Sequence, residues 1–166
     1  MSNSIHEQPI HVMITGGAGF IGSNLAEHLV QSGVKVTVLD NLLTGKLENI
    51  SHLMDNALFR FIEGDIRDFE TCKNAVFGCT HVSHQAALGS VPRSIDDPIT
   101  SLDINISGTV NVFRAAVEAG VRRIVFASSS SVYGNDETLP KTETKVGEVL
   151  SPYAASKRSM ELIQQA

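Results

Sequence analysis

The chain has 166 residues, a composition with 42% hydrophobic and 19% charged side chains, and a net charge of −5. That is the length of one domain and the balance of a chain that buries a core, which excludes a disordered tail or a collagen-like repeat. Negative net charge disfavours nucleic-acid and anionic-membrane partners, so any anionic ligand must be met by local dipoles.

Residues 1–9 read as a loose tail ending at Pro9, with neither the basic nor the apolar region of a signal peptide. The apolar run 10–14 (IHVMI), stopped by Thr15-Gly16-Gly17, predicts a buried strand. Phe20, Ile21, Leu25, Leu29 and Val30 recur at helical spacing up to Gly33, a C-terminal stop signal. Residues 34–39 predict a second strand, 46–54 a short helix, 58–62 a third strand, 68–77 a helix and 80–84 a weak fourth strand. A long helix is expected over 95–119, with Pro98 in its first turn, Gly120 at its end, and Ile99, Leu102, Ile106, Val110, Phe113 and Val117 on one face. Residues 123–127 predict a fifth strand, 129–151 a loop, and Ser151-Pro152 the start of a last helix. Alternating strands and helices imply right-handed βαβ units, so the fold class is α/β with a doubly wound parallel sheet. Near-continuous apolar strands fit a sheet covered on both faces.

Other chemistries find little support. Cys72 and Cys79 are too few for a disulfide framework, and no His or Cys grouping has metal-ligand spacing, so no metal is expected. Reduced thiols point to a cytoplasmic protein. No apolar run reaches the ~18 residues of a membrane helix.

Two constellations carry chemistry. The first is Gly16, Gly19 and Gly22, between a strand and a helix. Gly16 allows a tight turn, Gly19 lets backbone approach a pyrophosphate, and Gly22 lets the helix pack on the sheet. The helix N-terminus then offers free N–H groups to a diphosphate. Asp40 ends the second strand 18 residues after Gly22, where a carboxylate can accept from both ribose hydroxyls. It would repel a 2′-phosphate, so the expected cofactor is NAD. Asp65 and Ile66 follow the third strand, within reach of an adenine amino group. The second constellation is Tyr153 and Lys157, four residues apart and so on one helical face. An ammonium beside a phenol favours the phenolate and makes a general base. The serine run 128–131 closes the fifth strand, at the sheet edge where ligands of open α/β folds sit.

These motifs together (TGGAGFIG, Asp40-Asn41, GDIRD at 64–68, HQAA at 84–87, SSSSVYG at 128–134 and Tyr153-x-x-x-Lys157) resemble the extended short-chain dehydrogenase/reductase family, nucleotide-sugar epimerase/dehydratase branch. The stretches HQAALGSVPRSIDDP and LSPYAASK look most like bacterial UDP-N-acetylglucosamine 4-epimerases of surface-polysaccharide pathways. The resemblance implies an NAD-binding Rossmann domain over 10–166. It implies cofactor contacts at Gly16, Gly19, Phe20, Ile21, Gly22, Asp40, Asn41, Thr44, Gly45, Asp65, Ile66, Gln85, Ala86, Ala87 and Asn105, with Tyr153 and Lys157 at the nicotinamide end. Ser129, Tyr153 and Lys157 match the catalytic positions; Ser90, Ser129, Ser130 and Tyr153 match positions that meet a UDP-sugar. The implied reaction is epimerisation at C4 through a 4-keto sugar, without a metal. Ser130 and Ser131 stand where the sister dehydratases carry an Asp-Glu pair, which argues against loss of water. A nucleotide-sugar decarboxylase, a 5-epimerase and a non-catalytic NAD-binding protein stay open. Family chains run to about twice this length. The resemblance therefore implies that the last strands and a C-terminal substrate-binding part are absent, that turnover by this chain is low, and that apolar surface is left exposed. It also implies a homodimer through a four-helix bundle of the helices near 95–119 and 151–166.

Overall fold

A computed structural model describes residues 9–165; apart from Pro9, the expected tail lies outside the described residues. Among the described residues five strands form one parallel sheet: β1 (His11–Thr15), β2 (Lys35–Asp40), β3 (Phe59–Glu63), β4 (His81–His84) and β5 (Arg123–Phe126). Their spatial order is β3-β2-β1-β4-β5. The chain thus winds outward from β1 to β3, then returns to lay β4 on the other side of β1. That reversal puts a topological switch point between the carboxyl ends of β1 and β4, where open α/β sheets bind ligands.

Alternation along the strands builds two cores. Val12, Ile14, Val36 and Val38 face one side, where Ala26 and Val30 of α1 (Phe20–Gln31) cover them. Met13, Leu39 and Val82 face the other, under α2 (Phe69–Val76) and Val112, Ala115 and Ala116 of α5 (Gly108–Glu118). Each fully buried aliphatic side chain of this kind contributes roughly 1.5–3 kcal/mol. Both faces being covered explains why β1 and β2 read as near-continuous apolar runs.

The elements depart from the sequence-based expectations in three places. The short helix expected at 46–54 is a pair of 3₁₀ turns, Leu47–Asn49 and Ser51–Leu53. The expected loop 129–151 contains a 3₁₀ turn at Ser130–Tyr133, capped by Ser129. The long helix expected over 95–119 is three helices and a π turn. These are α3 (Val91–Asp96), α4 (Pro98–Leu102), the π turn Asp103–Ser107, and then α5. Pro98 opens α4, and Asp97, with φ −134°, breaks it from α3. The apolar face expected there is not the buried one. Ile99 is 80% and Val117 74% exposed, whereas Ser101, Ile104, Asn105, Thr109, Val112, Ala115 and Ala116 are buried. Two causes are visible. The π turn advances the helix phase by one residue. And close packing demands small side chains: a Cβ on Gly108 would lie 2.5 Å from the Ile66 side chain. In α1, likewise, Phe20 and Ile21 are exposed, Phe20 to 84%.

The last helix, α6 (Pro152–Ile163), packs against α3, α4 and the π turn. No helix among the described residues is long and apolar enough to cross a membrane.

Candidate functional site

The switch point opens into a cleft of about 310 Å³. Its floor is the turn after β1. Gly16 has φ +67°, and a Cβ there would sit 2.7 Å from the Ala86 backbone. A Cβ on Gly22 would sit 2.3 Å from the Gly16 carbonyl oxygen. Both positions therefore need glycine for the protein's own packing. Gly19 differs: its Cβ would meet only Gly16 O, at 3.2 Å. Space is left beside Gly19 that the protein does not fill.

The helix behind this turn is open at its N-terminus. The helices α2, α3, α4 and α6 each start on a side-chain cap, from Asp68, Ser90, Asp97 and Ser151. The N-terminus of α1 has no side-chain cap, and Gly19, Phe20, Ile21 and Gly22 line the cleft. Its first N–H groups and the helix dipole are thus directed at a ligand site, in the arrangement that binds phosphate oxygens.

One wall of the cleft comes from the β2 end. Asp40 is buried, and its carboxylate accepts from Ala18 N–H at 2.9 Å and Leu42 N–H at 2.8 Å. It therefore pins the glycine turn to β2 while also lining the cleft with Asn41, Thr44 and Gly45. Asn41 donates to Asp65 at 2.9 Å, and Arg67 grips both oxygens of Asp65. That guanidinium is the main reason why the Asp65 carboxyl titrates low, at about 2. Arg67 reaches on to Asp103 at 3.3 Å, tying the wall to the π turn.

The opposite wall is the loop after β4, with Gln85, Ala86 and Ala87. A directional chain of hydrogen bonds fixes it. Ala86 N–H donates to Thr15 Oγ1, whose hydroxyl is 2.6 Å from His84 Nδ1. His84 Nε2 is 2.9 Å from Thr109 Oγ1, and Thr109 donates to the Asn105 carbonyl. Thr109 having given its proton away, His84 carries hydrogen on Nε2 and accepts from Thr15 at Nδ1. Burial, with Lys157 nearby, pushes the His84 pKa down to about 3, so the imidazole is neutral.

The expected cofactor residues from Gly16 to Ala87 thus gather around one cleft. Asn105 is set behind it: its amide is buried and bonded to Leu88 and Ser156. The lining also includes Leu39, Leu43, Gly64, Leu88 and Ile104, none of them among the expected cofactor contacts. Leu39 and Gly64 carry a usable signal, because each adjoins an acidic residue at a strand end. Leu88 and Ile104 carry none, since their place depends on the 85–90 loop and the π turn.

A second group assembles between the end of β5 and α6. Lys157 is 3% exposed, and its ammonium donates to the Ala127 carbonyl at 2.8 Å, at the start of the serine run. Burial pushes its pKa down to about 8. Ser128 donates to Glu161 of α6 at 2.6 Å. Ser129 accepts from the Ser131 amide and hydroxyl, at 3.2 and 2.8 Å. Ser130 is exposed, and Tyr153, half-buried, sits one turn of α6 before Lys157. Ser90, on the loop into α3, is held at φ +119°. Such a backbone angle is sparsely populated outside glycine and clusters at ligand sites.

Fold and cleft together define a dinucleotide-binding α/β domain. Residues 12–166 match the NAD dependent epimerase/dehydratase family, and the chain belongs to it. A UDP-glucose 4-epimerase of Mycolicibacterium smegmatis is 41% identical over 150 residues, 89% of this chain and 48% of the relative. Among solved structures, a UDP-N-acetylglucosamine 4-epimerase from Methanobrevibacter ruminantium, in complex with UDP-N-acetylmuramic acid, superposes with TM-score 0.88 at 34% identity. That match covers 96% of this chain and 50% of the other. The Thermus thermophilus UDP-glucose 4-epimerase, in complex with NAD, gives TM-score 0.85 at 42% identity, over 94% and 50% of the two chains. The chain thus spans about half the length of the relatives it matches.

Proposed function

We propose that this chain binds NAD across the β1/β4 switch point and serves a nucleotide-sugar 4-epimerase acting on a UDP-hexose, of the UDP-GlcNAc/UDP-GalNAc or UDP-Glc/UDP-Gal type. The observation that carries the reading is the uncapped N-terminus of α1, opening on a space beside Gly19 with the Asp40 carboxylate bonded to the same turn. An uncapped helix start stabilises a diphosphate, and a carboxylate at that distance along the chain accepts ribose hydroxyls and repels a 2′-phosphate. Asp65 and Ile66 would meet the adenine, and Gln85, Ala86 and Ala87 the far half of the dinucleotide.

Bound NAD would supply a hydride acceptor at C4 of the sugar and a donor for the return step. The chain's own residues would handle the proton. Tyr153 is the base for the 4-hydroxyl, Lys157 is its cationic neighbour, and Ser129 donates to the same oxygen. Ser90 and Ser130 would contact the sugar, and Ser130-Ser131 lack the carboxyl groups that elimination of water needs. Exposed apolar residues on these helices, Ile95, Ile99, Val117 and Leu162, support a homodimer built on them. Buried, reduced cysteines fit a cytoplasmic protein, and the sequence stretches named above favour an N-acetylated sugar of surface-polysaccharide synthesis.

Calorimetric titration with NAD and NADP tests the cofactor: NAD binds and NADP binds at least tenfold more weakly. Incubation of the full-length protein with NAD and UDP-GlcNAc or UDP-Glc, followed by NMR, tests the reaction through the appearance of C4 epimers. Lack of NAD binding overturns the whole reading; net NADH with an oxidised sugar replaces the epimerase with a dehydrogenase.

A further inference from the structure

The first turn of α6 leaves no backbone donor free. Pro152 has none, Ala154 N–H donates to Ser151 Oγ at 3.0 Å, and Ala155 N–H donates to the Ser151 carbonyl at 2.9 Å. The remaining donor, the N–H of Tyr153, is satisfied from another element. It donates to Ser94 Oγ of α3 at 3.1 Å. Ser94 spends its own proton on the Val91 carbonyl at 2.7 Å, which leaves its oxygen turned to Tyr153. The carbonyl of Tyr153 is held as well. It accepts from Ser156 Oγ at 2.8 Å, and Ser156 in turn accepts from Asn105 Nδ2 at 3.0 Å. The Asn105 amide is locked on the Leu88 backbone, accepting from N–H at 2.7 Å and donating to the carbonyl at 3.3 Å. Ser94, Asn105 and Ser156 are all fully buried, and Leu88 lines the cofactor cleft.

Both backbone polar groups of one residue are therefore tied by side chains, the N–H to α3 and the carbonyl through Ser156 and Asn105 to Leu88 of the cleft wall. We propose that Ser94 and Ser156 are positioning residues, which clamp the Tyr153 backbone through α3 and through Asn105 at a fixed distance from the cofactor cleft. The proposal rests on the reading that Tyr153 and Lys157 meet the nicotinamide end of the dinucleotide. A purely structural role would stabilise α6 without regard to what the cleft holds. A clamp on Tyr153 would matter for the nicotinamide half of the ligand and not for the adenosine half.

The test compares the affinities for NAD and for ADP, by calorimetry, in the parent chain and in Ser94→Ala, Ser156→Ala and Ser151→Ala. The last variant removes a cap from the same helix without touching the Tyr153 peptide groups. Ser94→Ala and Ser156→Ala should each weaken NAD roughly fivefold, the factor one lost hydrogen bond represents, with ADP within about twofold of the parent. Ser151→Ala should lower the melting temperature while leaving the NAD-to-ADP affinity ratio at the parent's value. Amide hydrogen exchange at Tyr153 should accelerate in Ser94→Ala. If either alanine variant fails to fold, the other reads the same clamp from the opposite peptide group. An unchanged affinity ratio in the folded variants, or a parent that binds NAD no more tightly than ADP, overturns the clamp alone. Binding of neither ligand by the parent overturns the cofactor reading, and the clamp falls with it.

Discussion

Replacing Gly19 by alanine adds one methyl group at the mouth of α1, where protein packing and ligand binding make opposite demands. Gly19 has φ −77° and ψ 173°, extended angles open to any residue. The added carbon meets one atom, Gly16 O at 3.2 Å, a contact relieved by a shift of a few tenths of an ångström. Alanine also narrows the unfolded ensemble, which offsets ~0.4–1 kcal/mol of the crowding and of the poorer cap. The folded state should therefore change by no more than about 1 kcal/mol, or ~2–4 °C in Tm for a chain of this size. The same methyl group would occupy the space assigned to a pyrophosphate oxygen. Overpacking of that kind costs about 1–3 kcal/mol, so NAD affinity should fall roughly 5–150-fold. Gly22→Ala is the contrasting case. Its Cβ would collide at 2.3 Å with Gly16 O and at 2.7 Å with Gly17 Cα, so backbone must move. That variant should lose several degrees of Tm before any ligand is added. Thermal melts with and without NAD, together with titration calorimetry, measure both effects. Should Gly19→Ala bind NAD as tightly as the parent, the diphosphate does not lie at Gly19 and the reading of the cleft is wrong.

Two further outcomes follow from the described geometry. Lys157 has its pKa lowered to about 8 by burial, whereas an unfolded lysine keeps its proton to about 10.4. From pH 8 upward the unfolded chain thus holds a proton that the folded one has released, and stability rises by up to ~1.4 kcal/mol per pH unit. Burial raises Cys72 to about 12 and Cys79 to about 11, so above roughly pH 9 two thiols lose protons only in the unfolded chain and the slope reverses. Urea melts should show a maximum near pH 9; Lys157→Met should remove the rise between pH 8 and 9, and the same rise in that variant would refute the cause. Ser90→Gly should raise Tm by a few degrees. It relieves a φ of +119° that costs a non-glycine residue ~1–3 kcal/mol, against a few tenths for the lost cap and ~0.5–1 for glycine entropy. A lower Tm in that variant would show that the backbone there is not strained.

What the sequence determined by itself is local. The β1 strand, the glycine turn, α1, and Asp40 at the end of β2 follow one another within thirty residues (11–40), and each step is set by patterns that act over a few positions. Strand period, helix period, a tight turn and an acidic strand end need no knowledge of distant residues. The same holds for the Ser151-Pro152 start of α6, a cap and an N1 proline side by side.

Tertiary structure decided which helix face is covered and which polar side chains meet. Over residues 98–118 the apolar periodicity pointed to Ile99, Val110 and Val117, yet the interior took Ser101, Asn105, Thr109 and Ala116. The reason is physical: a π turn shifts the phase, and closely packed elements accept small residues where large aliphatics do not fit; Asn105 and Thr109 are hydrogen-bonded there, while the Ser101 hydroxyl is buried without a partner. The His84 chain to Thr15 and Thr109 and the Ser94 and Asn105 links around Tyr153 join residues 17 to 69 positions apart. Serine, threonine and asparagine at such separations carry no periodic signal, because their partners are chosen by where the crossovers set them down. Only the folded chain, with β1 beside β4 and α6 packed on α3 and the π turn, brings those partners within hydrogen-bonding distance.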